Sequence, residues 1–124
     1  MAVTVVLAVG LDPWMLMAQD SVWRSAGYIV IPAPSVREAI DHFRAGDFDL
    51  VLLGQSISVD DQERLTSLIR ASSAYTPVVS VAGSRDVHYA FADATLSSDP
   101  REFLKGIKEV LARGTRMPAE LQLA

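Results

Sequence analysis

The stretch DFDLVLLGQS, Asp47 to Ser56, decides the reading of this chain. Leu50–Leu53 are apolar without a break, the pattern of a strand covered on both faces in a parallel sheet. In open sheets of that kind the chemistry sits just beyond the carboxyl ends of the strands. Yet the residue at this strand's tip is Gly54, which has no side chain. Working outward, similar short runs rich in Val, Leu and Ile occur at Val3–Val9, Tyr28–Ile31 and Val78–Val81. A weaker fifth run lies around Ala94–Ser97.

Segments with helical spacing separate these runs. Asp12-Pro13 supplies an N-cap and a proline at the first helical position. In the helix that follows, Met15, Val22 and Ala26 are expected on one side, with Leu16 and Trp23 flanking. Ser35 with Glu38 forms a capping box ahead of Val36, Ala39, Ile40 and Phe43. Ser58 with Asp61 opens a third helix whose Leu65, Leu68 and Ile69 are expected to face inward. Asp99-Pro100 opens the last helix, with Phe103, Leu104, Ile107, Val110 and Leu111 as its buried stripe and Gly114 placed to stop it. Strand and helix alternate, which implies right-handed crossovers and an open α/β sheet with helices on both faces. Only fourteen residues separate Val81 from Leu96. A parallel crossover needs about a dozen residues, so the fourth helix is expected to be one or two turns or a loop.

The bulk numbers bound the function classes. The 124 residues are one domain's worth, 50% hydrophobic and 21% charged, enough to build a core. Eleven basic against fifteen acidic residues give a net charge of −4, which argues against a nucleic-acid binder. The basic residues Arg101, Lys105, Lys108, Arg113 and Arg116 read mainly as a solvated helix face. There are no cysteines, so disulfides and thiolate chemistry are excluded. The apolar start MAVTVVLAVG lacks a basic flank and is cut short by Asp12-Pro13, so no membrane span is expected. A cytoplasmic domain over 1–114, with a tail or linker stub over 115–124, is the simplest organisation.

The chain resembles the receiver domains of bacterial two-component response regulators over about residues 3–113. The stretches that carry the resemblance are VVLAVGLDP, SAGYIVIPAPSVREAI, DFDLVLLG and TPVVSVAG. It implies a flavodoxin-like, doubly wound, five-stranded parallel sheet in the order 2-1-3-4-5. In that family a carboxylate at the end of the third strand takes a phosphoryl group from a histidine kinase. Acidic residues after the first strand help hold Mg²⁺, and a hydroxyl and a Lys after the fourth and fifth strands bind the phosphoryl oxygens. Carried onto this sequence, Gly54 stands in the place of the phosphoacceptor. Gly10 and Leu11 stand where the acid pair would be, leaving only Asp12. Ala82 replaces the hydroxyl, although Ser80 and Ser84 are close by. Thr95 falls at the switch aromatic, and Ser98 is the best match to the missing Lys. The resemblance therefore implies a degenerate pseudo-receiver with no catalysis, no metal site and no cofactor.

Two uses remain open for such a scaffold. One is a phosphorylation-independent interaction module with a protein partner from a signalling pathway, or a second copy docked through the last helix. The other is a small-ligand or anion sensor, in which Gly10, Gly54 and Gly83 floor a notch flanked by Ser84 and Arg85. A flavodoxin-like enzyme is a weaker third class, because no nucleophile–base pair can be named. His88 and Tyr89 read as loop residues and His42 as exposed, while Asp60-Asp61 favours a helix dipole rather than a metal. Trp14 and Met17 project toward the polar side of the first helix. They form either an interface or, in the case of Trp14, a plug over the strand-end pocket.

Overall fold

The structure, a computed structural model, describes residues 4–18, 20–72, 76–82, 91–97 and 100–112. Strands β1 (Thr4–Val9), β2 (Tyr28–Ala33), β3 (Leu50–Leu53), β4 (Val78–Ala82) and β5 (Ala94–Ser97) form one sheet in the order β2-β1-β3-β4-β5. Every neighbouring pair is parallel. The helices are α1 (Pro13–Ala18), α2 (Asp20–Ser25), α3 (Val36–Ala45), α4 (Val59–Ser72) and α5 (Pro100–Ala112). This is the expected flavodoxin-like, doubly wound architecture. Among the described residues no helix is long and apolar enough to cross a membrane.

The uninterrupted apolar runs have the cause inferred from them: β1 to β4 each feed two cores, while Ala94 and Leu96 of β5 pack against one of them. Val6, Ala8, Leu50, Leu52, Val79 and Val81 point to one face, where they meet Leu16, Trp23, Ile107 and Val110 of α1, α2 and α5. Leu7, Val9, Val51, Leu53 and Val78 point to the other, against Ala39 of α3 and Leu65 and Ile69 of α4. Burial of a Leu or Val side chain contributes roughly 1.5–3 kcal/mol, and the central strands β1 and β3 collect that gain on both sides. Tyr28, buried and tilted against Trp23 with ring centroids 6.2 Å apart, has its hydroxyl pushed above the usual tyrosine range by that burial.

Several expectations need correction. β2 does not stop at Ile31 but runs through Pro32 to Ala33. It lies on the sheet edge, where a residue without an N–H is tolerated, and Ile29 and Pro32 are exposed. In the first helical segment, α1 and α2 flank Gln19, which lies outside the described residues; among the side chains described there Leu16 and Trp23 are buried, while Val22, expected on the inward side, is exposed. On α4, Leu65 and Ile69 are inward but Leu68 is half exposed. The inward positions beside them belong to Gln62 and Thr66. The caps at Ser35 and Ser58 form, each hydroxyl accepting the amide three residues on, from Glu38 and Asp61, at 3.2 Å. The shortened fourth helix, Gly114 and the tail 115–124 lie outside the described residues.

Two strands begin on an aspartate that extends the sheet by one rung. Asp49, just before β3, donates its N–H to Val5 O and accepts Val5 N–H on its carboxylate, both at 2.8 Å. Asp93, just before β5, makes the same pair with Val78, at 2.8 and 2.7 Å. Arg70 of α4 adds a 3.2 Å ion pair to Asp93.

Candidate functional site

The ends of β1 and β3 bring together Gly10, Leu11, Asp12 and Gly54. Gly10 has φ +67°, a left-handed backbone that turns the chain out of β1. Its N–H reaches across to Ala33 O at 2.9 Å, and Gly54 N–H donates to Val9 O at 2.7 Å. Gly54 is glycine for a different reason, close approach. A Cβ built there would collide with the Gly10 carbonyl oxygen, lie 2.7 Å from the Gly10 carbonyl carbon and 2.9 Å from Leu11 Cδ2. Ser56 hydroxyl donates to Gly10 O at 2.6 Å. Buried Ile57 packs over Gly10, its Cδ1 3.0 Å from where a Cβ would be.

Between Gly10 and Gly54, backbone, Leu11, Ser56 and Ile57 occupy the space beside the two glycines, while Gly83, Ser84 and Arg85, the other members of the expected notch, lie outside the described residues. Two glycines let the strand ends touch rather than part. Trp14 is not the plug either, being 77% exposed, with Met17 at 70%. The remaining carboxylate, Asp12, is exposed and accepts Trp14 N–H at 3.0 Å, the N-cap role of a residue ahead of Pro13. Thr95 pairs in register with Ser80, and Ala82 with Ser97. Gly83, Ser84, Arg85, His88, Tyr89 and Ser98 lie outside the described residues. His42 is exposed on α3, and Asp60 is exposed at the start of α4.

Sequence patterning does not single out Gln62, which holds this region together. Its side chain is 2% exposed. The amide nitrogen donates to Gly54 O at 3.2 Å and to Ile57 O at 2.9 Å. Its oxygen accepts from Ser80, fully buried on β4, at 2.9 Å. Thr66 hydroxyl bonds back to Gln62 O at 2.7 Å. The signal available was a polar pair at i and i+4, Gln62 and Thr66, set beside Leu65 and Ile69. Such a pair is buried only if a partner elsewhere satisfies it.

On the outer side, Leu16, Met17 and Asp20 face Val30 and Pro32 of the edge strand across a groove of about 390 Å³. Trp14, one turn from Met17, extends the apolar surface beyond it. The neighbouring carboxylate of Asp20 is paired with Arg24 at 2.9 Å.

No family model matches the sequence, and no curated protein does. Solved structures do match. The chemotaxis response regulator CheY4 of Vibrio cholerae is 23% identical, with a TM-score of 0.74 over 89% of this chain and 100% of its own. A CheY-like receiver domain from Methanospirillum hungatei gives 20% identity and a TM-score of 0.74, over 90% and 96% of the two chains. The response regulator TrrA of Thermotoga maritima gives 20% and 0.72, over 87% and 98%, in a complex with the histidine kinase ThkA. The chain has the receiver fold. At the end of β3 this chain sets Gly54 against the Gly10 backbone and the Leu11 side chain.

Proposed function

We propose that the protein is a phosphorylation-independent, receiver-like signalling domain in the cytoplasm. It catalyses no reaction and serves as a protein–protein interaction module in or beside a two-component phosphorelay. The observation that carries this reading is the contact of Gly54 with the Gly10 backbone. A phosphoryl-accepting carboxylate at the β3 end needs space for itself, for a cation and for the incoming phosphoryl group. The space is occupied by the chain's own backbone and by Leu11, and the Asp12 carboxylate, two residues beyond Gly10, caps a helix.

What persists is surface. Trp14 and Met17 stand out on α1, and Trp and Met are residue types enriched where proteins bind one another. TrrA, of the same fold, was crystallised with a histidine kinase. By that analogy the partner here is a signalling protein, and with no phosphoryl switch its docking is constitutive.

Incubation with acetyl phosphate and Mg²⁺, followed by intact-mass spectrometry, is expected to show no phosphoprotein. A stable phosphoryl adduct refutes the reading. For the surface, Trp14→Ala together with Met17→Ala is expected to shift stability by no more than about 0.5 kcal/mol, as exposed positions do. A photo-crosslinking residue at position 17 should trap a signalling protein in the native cell. Its co-purification with the wild-type domain should be lost in the double variant. Unchanged co-purification would move the interface elsewhere.

A further inference from the structure

We propose that Gln62 and Ser80 form a permanent internal latch, which holds the turn between β3 and α4 closed over the strand ends without any ion or ligand. Three backbone carbonyls lie at this mouth of the sheet, that of Gly10 after β1 and those of Gly54 and Ile57 in the turn over residues 54–58, where Gly54 O also accepts the Ile57 N–H at 3.3 Å. Each is satisfied by a neutral donor from the chain itself. Ser56 serves Gly10 O, and the two N–H groups of one carboxamide serve Gly54 O and Ile57 O. The carboxamide cannot rotate to another role, because its oxygen is claimed by the Ser80 hydroxyl from β4. One side chain thus ties the end of β3, the turn, α4 and β4 into a single unit. Leaving a buried carbonyl without a donor is costly, so an open turn is disfavoured unless another donor or a cation replaces the amide. The latch concerns the mobility of this turn and stands whether or not Trp14 meets a partner.

Hydrogen exchange read by NMR tests it, with protection corrected for intrinsic rates. In the wild-type protein the amides of Gly54 and Ile57 should be protected to the same degree with Mg²⁺ and with chelator. Gln62→Leu keeps the apolar volume and removes every bond of the amide. It should lower protection of the Ile57 amide about tenfold or more, while the Ile107 and Val110 amides of α5 keep theirs. Ser80→Ala removes a single bond and should produce the same local loss in smaller measure, which secures the test should Gln62→Leu fail to fold. Gln62→Glu supplies a signature that a merely space-filling role lacks. Its neutral carboxyl can donate one bond, whereas its carboxylate faces two carbonyl oxygens. The turn should therefore be more protected at acid pH than at neutral pH. A loss spread evenly over all strands, no loss at the turn, or a Gln62→Glu turn indifferent to pH overturns the latch.

Discussion

Gly54→Asp is expected to yield neither a phosphorylatable domain nor a stable one, with a loss of about 3 kcal/mol or more. Restoring the carboxylate at the β3 end is the obvious way to revive a receiver-like site, and in this backbone it has nowhere to go. The first carbon of any side chain would meet the Gly10 carbonyl, with the carbonyl carbon at 2.7 Å and Leu11 Cδ2 at 2.9 Å. Leu11 could shift, but Gly10 could not easily follow. It is held by Ala33 O on one side and the Ser56 hydroxyl on the other, with Ile57 packed above it. The new carboxylate would also lie among carbonyl oxygens with no cationic side chain beside it in the described site. Gly54→Ala separates the two causes, since it carries only the steric part, about 1–3 kcal/mol for overpacking. Chemical denaturation of both variants, with acetyl phosphate labelling of the Asp variant, checks the claim. A Gly54→Asp protein of wild-type stability that takes up a phosphoryl group would show that the strand ends part readily, and the proposed function would fall with it.

The sheet was legible because its signals are local. Leu50–Leu53 and Val78–Val81 read as strands buried on both faces, and Ser35 and Ser58 announced their helices through caps that form as expected. The strand-end site was legible only as a set of missing groups. That Gly10 and Gly54 touch depends on how closely two strands approach beyond their last rung, which no periodicity encodes. Gln62 was hidden for a related reason. A polar residue among apolar ones looks solvent-facing until its partner is known, and its partner Ser80 is eighteen positions away. The same reasoning explains Leu68, assigned to the inward face by residue type while Gln62 and Thr66 took the inward positions. Patterning separates apolar from polar, and it fails where a polar group is buried by pairing.

Asp93→Ala should be the second most damaging change, at about 2–3 kcal/mol, against about 1 kcal/mol for Asp49→Ala. The two aspartates perform one task in different surroundings, which makes them a controlled comparison. Each opens a strand and each closes a reciprocal pair with a valine on the neighbouring strand. Around Asp49 the aspartate is exposed, so water can replace the lost carboxylate at Val5 N–H. Val78 is fully buried, so its N–H would be left without that acceptor where water has little access. Arg70, with its side chain 29% exposed, would lose its ion partner as well. That pair is partly screened, so its share is set well below the figure for a fully buried charge. Asp93→Asn divides the effect: an amide oxygen can still accept from Val78, so the cost should fall to roughly half, leaving the charge-dependent part. Urea denaturation of the three variants gives the ordering directly. Equal costs for Asp49→Ala and Asp93→Ala would mean that burial at β4 adds nothing to the rung. The stability of the β4–β5 edge would then have to come from side-chain packing alone.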